Sequence, residues 1–144
     1  MFVVDTNILL YGAIKEFREH EKARQLIDEW RRSATAWHST WGIFYEFLRV
    51  STHLNVFEYP LSAAHSWDFL KVILSSPGFS LLSEHEDHAK ILEESLVNEV
   101  SLKGNLWHDG HTATLMKEHG IREIVTSDTD FHKFNWIKVN NPFV

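Results

Sequence analysis

Two short apolar runs in this chain stop abruptly at an aspartate. The chain opens MFVVDTNILLY, where Phe2-Val3-Val4 runs into Asp5. Near its end, REIVTSDTDFHKF carries Ile124-Val125-Thr126-Ser127 into Asp128. Runs rich in β-branched residues suit strands buried on both faces, the setting of a parallel sheet. In open sheets of that kind, ligands bind beyond the carboxyl ends of the strands. Two strands that each deliver a carboxylate to that edge constrain both the fold and the chemistry.

The remaining pattern alternates to match. Phe2–Val4 reads as a short buried strand. Thr6–Ile14 reads as a helix, with Thr6 or Asn7 able to cap it. Glu19–Trp30 carries Ala23, Leu26, Ile27 and Trp30 at helical spacing. Ala34–Trp37 is a weak strand, and Ser39 or Thr40 caps a helix through about Ser51. Pro60-Leu61-Ser62 opens a helix to Leu74, followed by a strand at Phe79–Leu82. Glu86–Leu102 and Asp109–His119 read as helices, the second stopped by Gly120. Strands at Glu123–Thr126 and Trp136–Val139 complete the set. Strand–helix alternation implies an α/β fold, a parallel-rich sheet covered on both faces. No repeat, linker or low-complexity stretch divides the 144 residues, so one domain over 1–144 is expected.

Composition narrows the function. There are no cysteines, which removes disulfide scaffolds and thiolate metal sites. No stretch is long and apolar enough to cross a membrane. The start lacks the basic flank of a secretory leader, so a cytoplasmic protein without membrane attachment is expected. The net charge is −6, from 14 Lys+Arg against 20 Asp+Glu. That argues against a broadly basic nucleic-acid surface, but not against a nuclease whose acids gather around metal ions.

Each acid also has a plain structural role open to it. Asp5 and Asp109 can cap helices, and Asp128 and Asp130 can build a turn. Glu46 lies inside WGIFYEFLRV, with Ile43 and Val50 one turn away and Arg49 as a possible ion-pair partner. On a face read as largely apolar, a carboxylate needs compensation from Arg49, a metal ion or a wider cluster. Together, two strand ends and two helical positions could converge four acids. Hard oxygen ligands suit Mg²⁺ or Mn²⁺. Two such ions about 4 Å apart can activate water and stabilise the leaving oxygen of a phosphodiester.

In the order and spacing of VVDTNILLY, YEFLRVSTHLNVF, NLWHDGHTATLMKEHGIREIVTSDTDFHKF and the terminal NNPF, the chain resembles PIN-domain ribonucleases, and among them the VapC toxins of prokaryotic toxin–antitoxin pairs. The resemblance implies a PIN-like three-layer α/β/α sandwich with a central, mostly parallel sheet. It implies an acidic quartet at Asp5, Glu46, Asp109 and Asp128 that ligates metal and carries catalysis, with Asp130 supporting the loop. Thr6 and Thr126 place hydroxyls beside these acids. The implied activity is Mg²⁺-dependent endoribonuclease cleavage (Mn²⁺ as a substitute), leaving 5′-phosphate and 3′-hydroxyl ends, with tRNA among the possible targets. The implied partners are an RNA substrate, a VapB-type antitoxin and a second copy of the chain in a homodimer. One departure is Gly110, where the family commonly has Ala after the third acid.

Other signals carry less. Ten histidines invite a zinc reading, but His85-Glu86-Asp87-His88 lacks metalloprotease spacing, and His108 and His111 read as surface or phosphate-contacting residues. Trp30 and Trp41 fit helix faces turned to the core. Arg31, Arg32 and Lys133 could meet phosphate but read as solvated surface. Two other functions compete. A phosphatase using an aspartyl nucleophile would carry Asp-x-Asp where this chain has Asp5-Thr6-Asn7. A PIN-like module kept only for binding would have little use for an intact quartet.

Overall fold

The computed structural model describes residues 1–144. Five strands form one sheet: β1 (Phe2–Val4), β2 (Trp37–Thr40), β3 (Phe79–Leu82), β4 (Glu123–Val125) and β5 (Lys138–Asn140). Their order is β3-β2-β1-β4-β5, and every pair is parallel. The expectation of a mostly parallel sheet is therefore sharpened to a wholly parallel one. Such sheets need cover on both faces. Val3, Val4 and Ile124 are fully buried, and Val125 nearly so. Six helices provide the outer layers: α1 (Thr6–Ala13), α2 (His20–Arg32), α3 (Trp41–Ser51), α4 (Ala63–Leu74), α5 (His88–Leu92) and α6 (Leu106–Glu118).

The strand order places the site. From β1 the chain walks outward through β2 to β3, then returns and walks the other way through β4 to β5. The reversal falls between β1 and β4, which pair Val3 with Ile124 and Val4 with Val125. Right-handed crossovers send the helices on either side of such a reversal to opposite faces, and the crevice between them is where open α/β sheets bind ligands. Asp5 and Asp128 follow the two strands that flank it.

Local boundaries differ from the sequence reading where polar residues are buried or apolar ones are redirected. β2 begins at Trp37 rather than ending there. Its Ser39 and Thr40 are buried yet satisfied: Ser39 Oγ donates to the Val4 carbonyl at 3.1 Å, and Thr40 Oγ1 caps α3 by accepting from Ile43 N at 3.0 Å. β5 likewise starts two residues later than read. The helix expected over Glu86–Leu102 is only α5, followed by a wide turn at Glu93–Val97. Beyond that turn the backbone leaves the helix, and Leu102 packs over α6 at Gly110. A β-carbon at Gly110 would meet Leu102 Cδ1 at 2.8 Å and Leu96 Cδ1 at 3.2 Å. The glycine that departs from the family habit is thus matched to two leucines that occupy the space of its missing side chain. Trp41 is a correction: it is 47 % exposed, not part of the core.

Candidate active site

Asp5 combines the two roles open to it. It ends β1 and is the N-cap of α1, its Oδ1 accepting from Thr6 N at 2.8 Å. Its Oδ2 accepts from Thr126 Oγ1 at 2.6 Å and from Asn7 Nδ2 at 2.8 Å. The backbone N–H of Asp5 continues the ladder to Val125 O at 3.1 Å. The carboxylate is therefore fixed by one strand, one helix start and two side chains. Thr6 and Asn7, the caps suggested by sequence, lie inside the helix.

Thr126 ties the two strand ends together. Its buried hydroxyl donates to Asp5, and accepts from Asp128 N at 2.9 Å and from Asn7 Nδ2 at 2.8 Å. One donor and two acceptor sites are all a hydroxyl has, so Thr126 is saturated. Asn7 is the residue the sequence reading undervalued. Besides those two donations, its Oδ1 accepts from Ser127 N at 3.1 Å. Its place in the Asp-Thr-Asn run was the available signal.

The other acids come from three further elements. Asp109 lies in the first turn of α6, not ahead of the helix, and is half-buried. Asp128 sits in the loop after β4, its Oδ1 accepting from Asp130 N at 2.8 Å. Asp130 opens a 3₁₀ turn over Asp130–Lys133 and pairs with Lys133 Nζ at 3.0 Å. Carboxylate oxygens of Asp109, Asp128 and Asp130 lie within 4.8 Å of one another. Asp130 therefore belongs to the acidic cluster as well as to its loop, more than the support role first expected of it.

Glu46 corrects part of the sequence argument. It is exposed, and its neighbours across the cleft are polar, so no burial penalty singles it out. Its Oε2 accepts from Thr6 Oγ1 at 3.2 Å, while Oε1 is 3.7 Å from Arg49 Nη2. The local ion pair and the place in the site coexist. Glu46 shares a cleft of about 480 Å³ with Asp5 and Asp109, and an adjoining cavity of about 410 Å³ with Asp109, Asp128 and Asp130. Glu46, Arg49, His108 and Asp109 line both, so the two are halves of one groove.

The electrostatics follow from packing acids together. Burial raises the Asp5 carboxyl from 3.8 to about 6, against the pull of its bonds to Thr126 and Thr6 and with help from the charges of Asp128 and Glu46. Asp109 is pushed to about 7, first by burial and then by the charges of Asp5, Asp128, Asp130 and Glu46. A divalent cation would relieve both causes. The donor set, hard oxygens alone, is the one Mg²⁺ and Mn²⁺ prefer. Two of the other candidates are engaged elsewhere, while His108 lines the groove and Lys133 pairs with Asp130. His111 Nε2 meets Glu84 Oε1 at 2.7 Å although the residue lines the cleft, and Arg31 pairs with Asp28 at 3.1 Å.

The PIN-domain profile matches residues 2–137. The chain belongs to the PIN-domain family. Within it, the chain is 30% identical over 146 residues to Ribonuclease VapC33 of Mycobacterium tuberculosis, covering 99% of this chain and 98% of that protein. Two solved structures share the PIN fold at low identity. The Mycobacterium tuberculosis toxin VapC20, described as cleaving the sarcin-ricin loop, superposes with a TM-score of 0.66 at 14% identity, covering 92% of this chain and 93% of the other. VapBC2 of Rickettsia felis, solved bound to a DNA fragment from its promoter, gives 0.64 at 15% identity, covering 97% of each chain. No helix in this PIN domain is long and apolar enough to cross a membrane.

Proposed function

We propose that this PIN domain is a divalent-metal-dependent endoribonuclease, the toxin of a VapBC-type toxin–antitoxin pair. The observation that carries the reading is the convergence of Asp5, Glu46, Asp109, Asp128 and Asp130 on one groove at the sheet's reversal point. Asp5, Glu46, Asp109 and Asp128 are assigned as metal ligands, with Asp130 beside them. Mg²⁺ or Mn²⁺ held there would offset negative charge on a phosphate oxygen and would make a bound water more acidic.

The chain's own part is positioning. Thr126 and Asn7 hold the Asp5 carboxylate in a single orientation, which a ligand must keep if it is to fix what it binds. Thr6 does the same for Glu46 through its hydroxyl. In the reaction, water adds to phosphorus and the bond to the 3′-oxygen breaks, leaving a 5′-phosphate and a 3′-hydroxyl. Arg49, at the groove wall, is placed to meet a neighbouring phosphate. The VapBC name of one structural neighbour supports a VapB-type antitoxin as partner; a homodimer as the assembled form and tRNA among the possible substrates follow from the family resemblance alone.

The test uses protein purified free of antitoxin and host nuclease. Labelled RNA should be cleaved with Mg²⁺ or Mn²⁺, and not in EDTA or by Asp128→Asn. Cleavage that resists EDTA, or survives Asp128→Asn at near wild-type rate, refutes the metal site.

A further inference from the structure

The acidic groove has an aromatic lip that the metal chemistry leaves unused. Tyr45 immediately precedes Glu46 on α3 and lines the same cleft as Asp5 and Asp109, yet it is 69% exposed. Trp41, one turn earlier and 47% exposed, has its ring centroid 6.2 Å from that of Tyr45. Two large rings side by side in water beside a site are more than the scattered exposed apolar residue common on any surface.

Charge indicates what covers them. The chain carries −6 overall. The half of the groove that holds Asp128 has Arg49 and Lys103 as its only permanent cations, against Glu46, Asp109, Asp128 and Asp130. Metal ions would compensate the phosphate at the reaction centre, not the strand leading to it. With so few basic side chains, counterion release can supply little of the affinity for that strand. Stacking on an aromatic ring needs no positive charge and tolerates any base. A ring can stack on a base whose face is free, and a base inside a duplex has both faces covered by its stacked neighbours.

On the ribonuclease reading above, we propose that Tyr45 stacks on an unpaired nucleobase next to the scissile phosphate, with Trp41 steadying its ring. Tyr45 is then a substrate-binding residue that sets where a strand sits.

The experiment maps the cut site with wild-type protein on a single-stranded RNA, then compares Tyr45→Ala, Tyr45→Leu and Tyr45→Phe on that RNA. Binding is measured with Ca²⁺ in place of Mg²⁺, and 2-aminopurine is placed on either side of the cut. Tyr45→Ala and Tyr45→Leu should raise KM and Kd on the order of 5- to 150-fold, the span of one base on one ring. Tyr45→Phe should restore both, and 2-aminopurine should be quenched by wild type and Tyr45→Phe alone. Leucine keeps apolar bulk without a π face, so it separates stacking from packing. Wild-type cleavage with KM and Kd alike in all variants overturns this inference and leaves the nuclease reading standing. So does quenching that persists in Tyr45→Ala while its sedimentation shifts from dimer to monomer, which gives the face to a second copy of the chain. Failure of wild type to cleave any RNA overturns both readings.

Discussion

Removing the charge of Asp5 should change how stability depends on pH more than it changes stability itself. With its carboxyl raised from 3.8 to about 6 by burial, charged Asp5 costs the metal-free fold about 3 kcal/mol at neutral pH. The sign follows from proton counting. Between the two values the native state holds more protons than the unfolded one, so stability falls as pH rises. The contribution is intact below 3.8 and lost as pH passes through about 6, with about 2 kcal/mol of it disappearing between pH 4 and 8. Asp109, raised to about 7, acts in the same direction. Asp5→Asn removes the penalty, but it cannot keep every bond. Thr6 N, Thr126 Oγ1 and Asn7 Nδ2 all donate to Asp5, and an amide presents one acceptor and one donor. Whichever way it turns, at least one donor loses its acceptor, at about 1–3 kcal/mol. The two effects nearly offset at pH 7. The assay is urea unfolding in EDTA at pH 4 and 8 for wild type and Asp5→Asn. The loss between those pH values should be smaller in the variant by about 2 kcal/mol, and saturating Mg²⁺ should restore wild-type stability at pH 8. Superimposable pH profiles in EDTA would show that the buried Asp5 carboxylate carries no such penalty.

Two further substitutions probe the cluster. Thr126→Val strips a saturated hydroxyl from Asp5, Asn7 and Asp128. It should cost about 2 kcal/mol or more in urea unfolding and reduce cleavage on the order of 10- to 100-fold; an unchanged rate would deny Thr126 its positioning role. Asp130→Asn should weaken Mg²⁺ binding roughly tenfold by calorimetry while reducing cleavage less than Asp128→Asn. Unaltered affinity would return Asp130 to loop support alone.

The strands that matter most were legible because their residues have one use. Val3, Val4, Ile124 and Val125 suit a strand buried on both faces, and each run stops where the acid must meet solvent or metal. Asp5 could thus be placed directly after a strand, and Asp128 in the short loop beyond one, where β4 ends at Val125 rather than Thr126 as read. β2 was harder, since His38-Ser39-Thr40 looks like a loop. The Thr40 hydroxyl makes the local helix cap that the sequence allowed, but the buried Ser39 hydroxyl is satisfied by the Val4 carbonyl, a partner that only tertiary structure supplies. The break after α5 was illegible for a related reason. Leu96 and Leu102 continue a plausible helical pattern, and only their fit over Gly110 shows where the chain must turn. Glu46 was placed in the site on a mistaken ground: the face is open to the groove rather than apolar. Asp130 was undervalued because sequence spacing cannot show that a tight turn keeps its carboxylate beside Asp128. Asn7 was read as a cap because two of its three hydrogen bonds, to Thr126 and Ser127, span more than a hundred residues of sequence.

The central claim is that two strands exist to hold metal-ligating carboxylates rigidly at one edge of the sheet. Anomalous scattering from crystals grown with saturating Mn²⁺ tests it most directly. Mn²⁺ should lie in the groove within direct coordination distance of oxygens of Asp109 and Asp128, with Asp5 and Glu46 bound directly or through one water. A groove with no Mn²⁺ at saturation, or Mn²⁺ bound only at surface sites away from Asp5 and Asp128, would contradict it.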